Sequence, residues 1–215
     1  LPAATEGELE VYRTAKAQWD AAHAPLQRAY DDYLREALPA KQAEWESTAK
    51  PDLPRWETLA PGAVAAAEGT TLTPRKDLAV EASGMSPIFE TYTVETAAPP
   101  APVSGFRLEV LPDDKKAAGP GRSGNGNFVL TEFAVRVLPA GGGEPRGVAF
   151  SRATADFSQK DWAVAGAIDG DAKTGWAISP QSKRRHVAVF ECSEPMQFAA
   201  GDRLVFTLDQ RFGNQ

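Results

Sequence analysis

Between Leu9 and Ala37 apolar and aromatic side chains recur at alternating steps of three and four residues. Tyr12, Trp19, Leu26 and Tyr33 stand seven residues apart, and Leu9, Lys16, His23, Tyr30 and Ala37 form a second row beside them. At 3.6 residues per turn both rows fall on one face, so the spacing predicts a long amphipathic helix. Pro25 removes a backbone donor without breaking the register, which predicts a kinked helix or two helices in line. Leu38-Pro39 reads as a turn. Ala40 to Thr48, carrying Trp45, reads as a short returning helix that covers part of the aromatic row, and Pro51 and Pro54 end the helical part. The aromatic face reads as packing rather than a ligand platform, because stacking on a ligand does not require heptad spacing.

Beyond Trp56 the texture changes to short runs of period two separated by Gly and Pro. Thr91 to Glu95 and Phe106 to Val110 alternate apolar with polar, and Phe128 to Val137, His186 to Phe190 and Leu204 to Leu208 repeat the pattern. Pro99-Pro100, Gly119-Pro120-Gly121 and Gly141-Gly142-Gly143 punctuate them. Seven or more short strands with no helical segments between them predict a two-sheet antiparallel sandwich. The chain therefore reads as mainly β, with an α-helical hairpin or stalk over residues 1–55 and a β-sandwich over 56–215.

Composition narrows the functional classes. The 215 residues suffice for one large domain, or a medium domain with an appendage, and for a real core. A net charge of −6 argues against a nucleic-acid partner. No run approaches a membrane span, and no basic-then-apolar leader opens the chain, so an export signal is expected outside it. The single Cys192 reads as a small buried hydrophobe, and one Cys with two scattered His argues against zinc or haem. There is no Gly-x-Ser-x-Gly elbow and no phosphate-binding Gly-x-x-x-x-Gly-Lys loop.

Candidate chemistry concentrates in Ala167-Ile168-Asp169-Gly170-Asp171-Ala172-Lys173-Thr174-Gly175-Trp176. Asp169, Asp171 and Thr174 supply oxygens, and Gly170 and Gly175 permit conformations that turn carbonyls inward, a composition suited to Ca2+. The same residues also make a tight surface turn without any ion. With Thr174 and Trp176 attached, the phrase resembles the loop of discoidin-type, galactose-binding-like β-sandwich domains. That resemblance implies a jelly-roll sandwich with Trp176 packed beneath the loop. In such domains the Asp-Gly-Asp loop comes early and a Leu-x-Glu strand comes last. Here Leu130-Thr131-Glu132-Phe133 precedes Asp169, so the resemblance implies a circular permutation in which Glu132 joins Asp169, Asp171 and Thr174 around one ion. Glu132 is expected opposite Phe133 and on the core side, where a cation would compensate its charge. The other reading is an exposed Glu on an edge strand.

Longer phrases carry a second resemblance. Gly105 to Asp113, Gly121 to Phe133 and Asp161 to Asp171, with Leu38 to Glu46 upstream, are similar to the middle region of large planctomycete proteins that carry a cytochrome-c-like N-terminal region and further domains of unknown function. The resemblance covers nearly the whole chain. It implies a helical stalk before a sandwich, neighbouring domains of a parent protein as partners, and an extracytoplasmic location where calcium is plentiful. It also leads to the expectation of one more strand after Gln215.

The fold these resemblances imply points to a non-catalytic module that binds polysaccharide, since sugars are held by an aromatic face and a few fixed polar groups. Trp162 is the candidate platform, with Arg122, Asn125 and Asn127 in one loop and Gln181, Arg184 and His186 ahead of a strand. Trp162 could equally cap the core, the basic run could be a solvated turn, and the Asn-Gly turn could serve conformation alone. The rival reading is a spacer or protein-docking module without a sugar ligand. An enzyme is not expected, because carboxylates in an ion loop would be ionised and occupied rather than poised as acid and base.

Overall fold

The computed structural model describes residues 4–49, 54–112 and 119–212. The helix stop expected at Pro51, Asp113 of the resemblance, and the chain end at 213–215 lie outside the described residues. The chain divides into two compact units, Leu1–Arg55 and Trp56–Gln215.

The first unit is a helical stalk, not a hairpin. Helix α1 spans Glu6–Asp32 and continues through a π-helical segment, Tyr33–Ala37, into helix α2, Leu38–Ala49. A capping box starts it: Thr5 Oγ1 accepts from the Glu8 amide, and Glu8 Oε2 accepts from the Thr5 amide at 2.8 Å. Pro25 sits inside α1 without ending it. The turn expected at Leu38-Pro39 is replaced by the π segment. Pro39 has no N–H to give Arg35, and the chain widens one turn just before it, with the Leu38 amide reaching Tyr33 O five residues back. Without a reversal, no returning helix among the described residues covers the aromatic row. Trp45 itself is 58% exposed.

The second unit is a β-sandwich. Strands β1 (Pro61–Ala66), β4 (Glu90–Ala97), β10 (Arg203–Gln210), β6 (Glu132–Leu138) and β7 (Arg146–Gly147) form one sheet in that spatial order. Strands β5 (Val103–Val110), β9 (His186–Met196) and β8 (Phe150–Ala155) form the second. Strands β2 (Thr70–Pro74) and β3 (Val80–Gly84) make a separate hairpin. All pairings are antiparallel.

Phenylalanines from both sheets meet in the core. Phe133 of β6 stacks on Phe190 of β9 at 4.0 Å between ring centres, and Phe106 of β5 meets Phe206 of β10 edge-on at 5.3 Å. The period-two face of β6 that faces this core is Phe133, Val135 and Val137, all at most 2% exposed. Antiparallel pairing brings 67–69, 85–89, 111–112, 119–131, 156–185 and 211–212 together at one end of the sandwich. Every residue singled out for chemistry lies on these connections or at the strand ends that meet them.

Candidate functional site

The loop after the short 3-10 helix Val164–Ala167 is built from its own side chains. Asp169 Oδ1 accepts from the Asp171 amide at 2.9 Å, and the two Asp169 carboxylate oxygens lie 2.9 and 2.8 Å from Thr174 Oγ1. Asp171 Oδ1 accepts from the Lys173 amide at 2.9 Å. Gly170 takes φ +78, which an L side chain rarely adopts. Gly175 passes so close to the neighbouring segment that a Cβ there would stand 2.5 Å from Leu130 O. That approach lets Leu130 and Trp176 exchange both backbone hydrogen bonds at 2.9 Å. Trp176 is fully buried beneath the loop, donating from Nε1 to Phe157 O at 2.9 Å and meeting Phe128 edge-on.

Glu132 reaches this loop from the start of β6. Its Oε2 accepts from the Gly170 amide at 3.1 Å. The expectation that it points to the core is corrected, since Phe133, Val135 and Val137 claim the inner face and Glu132 stands half-buried on the outer one. Partial burial pushes its carboxyl above the usual carboxylate range, and the nearby Asp169 and Asp209 carboxylates add to the rise against the Gly170 hydrogen bond. Glu132, Asp169 and Thr174 thus converge, while the Asp171 carboxylate turns to the Lys173 amide. Among the described residues no group of three or more His, Cys, Asp and Glu is arranged to hold a metal ion.

The residues proposed to read sugar hydroxyls are largely engaged with the protein itself. Arg122 donates to Thr70 Oγ1 at 3.0 Å and to Gly84 O at 2.7 Å, tying its loop to the β2–β3 hairpin. Asn125 Oδ1 accepts from Ser123 Oγ and the Asn127 amide, forming an Asx turn. Asn127 Oδ1 accepts from the Ile178 and Ser179 amides at 3.0 Å, and its Nδ2 donates to Gln159 Oε1 at 3.0 Å. His186 is 1% exposed, with Nε2 2.9 Å from Gln181 O and Nδ1 3.2 Å from Asp156 Oδ1. Gln181 is half-buried and enters this arrangement through its carbonyl, while Arg184 is exposed.

Trp162 is half-buried and follows Asp161, whose φ is +67. It meets Phe212 at 4.4 Å between ring centres with an interplanar angle of 61°, an edge-type aromatic contact. Cys192 is half-buried, and burial pushes its thiol up, disfavouring the nucleophilic thiolate.

Two buried carboxylates escaped the sequence reading. Glu90 is 1% exposed and accepts from the amides of Glu68, Thr70 and Thr91. Asp202 is 5% exposed and accepts from the amides of Ala140 and Ala199. Glu90 braces the turn after β1 to β4, and Asp202 ties the turn after β6 to its own turn before β10; Glu68, Thr70 and Ala140 lie 20 to 62 residues from these carboxylates, so no local spacing announces them. The other surface the sequence reading missed is the helix row, whose exposure follows from the missing reversal at Pro39. Tyr12 is 63% and Trp19 59% exposed.

No helix among the described residues is long and apolar enough to cross a membrane. Compared with known proteins, the chain matches no family model, no curated protein and no solved structure.

Proposed function

We propose that this chain is a non-catalytic docking module, one part of a larger multidomain protein, whose stalk helix carries the binding surface. The observation that carries the reading is the aromatic and aliphatic row of the helix, in which Tyr12, Trp19, Leu26, Tyr30 and Trp45 are each 58–66% exposed. Large contiguous apolar surface on a folded chain marks an interaction site. The internal hydrogen bonds of Arg122, Asn125, Asn127 and His186 support docking over sugar recognition, because a group already paired inside the protein gains little from a ligand hydroxyl.

A second reading, recognition of polysaccharide with a calcium-stabilised loop, is favoured by one feature. The Trp162–Phe212 pair stands at the same end of the sandwich as the convergence of Glu132 with Asp169. Retention of the chain on a panel of immobilised polysaccharides, with calcium and then with chelator, separates the two. The docking role predicts passage at the rate of a non-binding control. Calcium-dependent retention lost on Trp162→Ala would replace it with the sugar-binding role.

A further inference from the structure

Building on the docking role of the helix, we propose that the occupant of its row is a second copy of this chain, the two helices lying antiparallel with Trp19 of one level with Tyr30 of the other. The π-helical segment Tyr33–Ala37 makes the row long enough for this. At 100° per residue, Leu38 and Trp45 of an uninterrupted α-helix would lie about 90° away from the line of Tyr12, Trp19 and Leu26. The widened turn takes up one extra residue, which removes about 100° and returns Leu38 and Trp45 to that line. The seam then runs from Leu9 to Trp45, about 54 Å at 1.5 Å per residue.

The area fits a stable pair. From their exposures, the aromatic and leucine side chains of the row present roughly 800 Å² per copy, about what each partner buries in a standard interface. Ala15, Ala22 and Ala29 flank the row at seven-residue intervals and leave room for the large rings to reach across.

Charge selects the direction. Two cations stand within the seam, Lys41 and Lys16, the latter bridged to Asp20 of its own helix at 2.6 Å. Parallel helices in register would set each against its own copy, an unfavourable like-charge contact. In this antiparallel register, allowing for the widened turn, Lys16 comes level with Tyr33 of the second copy and Lys41 with its Leu9. A lysine over a tyrosine ring is a favourable contact that this helix already makes internally, Lys41 Nζ lying 5.2 Å from the Tyr33 ring centre.

Sedimentation equilibrium of the full chain tests the inference, from micromolar to about 100 μM, a range in which moderate self-association is read directly. The expected mass is that of a dimer, and the double variant Trp19→Lys, Leu26→Lys is expected to stay monomeric across the range. The thermal transition of the sandwich, unchanged in that variant, shows that it has folded. Direction is read by disulfide trapping of Ala22→Cys and Ala29→Cys chains, with the wild type as the control for Cys192. The antiparallel pair links the two variants only when they are mixed. A wild-type chain that is monomeric throughout would overturn the self-association while leaving docking to a different partner standing. A dimer indifferent to the lysine variant, or Cys variants that each link to themselves, would also overturn it.

Discussion

Replacing Glu90 with Gln removes a carboxylate that holds three backbone amides in the sandwich interior. Its Oε1 accepts from Glu68 and Thr91, each at 2.9 Å, and its Oε2 from Thr70 at 3.1 Å. Desolvation pushes the Glu90 carboxyl up, but the hydrogen bonds from Glu68, Thr70 and Thr91 together outweigh it and leave the carboxyl below the usual carboxylate range. A glutamine has one oxygen. If that oxygen keeps Glu68 and Thr91, its NH2 group confronts the Thr70 N–H, donor against donor, and the two remaining bonds lose their charge. A hydrogen bond to a charged group contributes about 1.5–3 kcal/mol, and a neutral one roughly half as much. The loss then comes to about 3–6 kcal/mol, or roughly 10–20 °C in Tm for a unit of this size.

The pH dependence has a definite sign. A carboxyl whose folded-state pKa is depressed stabilises the fold above its unfolded pKa, and that contribution disappears as pH falls through the folded pKa. Urea and thermal denaturation of the wild type and Glu90→Gln, followed by near-ultraviolet circular dichroism, should show the full gap at pH 7. The gap should narrow as the pH drops below the carboxylate range. A shift at pH 7 below about 2 °C, or a gap constant at all pH values, would refute the reasoning.

Other expectations follow from the same geometry. Glu132 has the opposite sign, since a raised carboxyl pKa in the fold means that stability falls as pH climbs from the unfolded to the folded pKa. Without calcium, Glu132→Gln should therefore melt higher than the wild type at pH 7. If the loop takes calcium, the ion should raise the wild-type melting temperature and leave the variant unmoved, as differential scanning calorimetry with calcium and with chelator would show. Asn127→Ala should cost about 2–3 kcal/mol in urea unfolding, because the Ile178 and Ser179 amides lose their acceptor together.

How much of this was legible in the sequence depends on how locally each feature is determined. The strands were readable because alternation along β5 and β6 follows from a single buried face. The Asp-Gly-Asp loop was readable because its turn bonds join residues two to five apart. The helix was readable from its heptads, but the Pro39 turn was not correctly anticipated. A proline in a helix can be answered by a reversal or by one wide turn, and local sequence does not choose between them. Arg122, Asn127 and His186 looked like ligand-reading groups because their partners are invisible locally. Thr70, Gly84, Gln159, Ile178 and Asp156 lie from 30 to 52 residues away. The same limit hid Glu90, which braces Glu68 and Thr70 from 20 or more residues off.

Hydrogen–deuterium exchange of the full chain, resolved by segment at low and high protein concentration, tests most directly the claim that the stalk is an open docking element. Most helical stability in proteins comes from packing of an amphipathic face, whereas strands in a packed core open only with the whole unit. In dilute solution the amides of residues 6–49 should exchange orders of magnitude faster than those of β6, β9 and β10. At high concentration the helix should gain protection and the strands stay as they were. Equal protection of helix and strands at every dilution would contradict the account, because the row would then already be covered within the single chain.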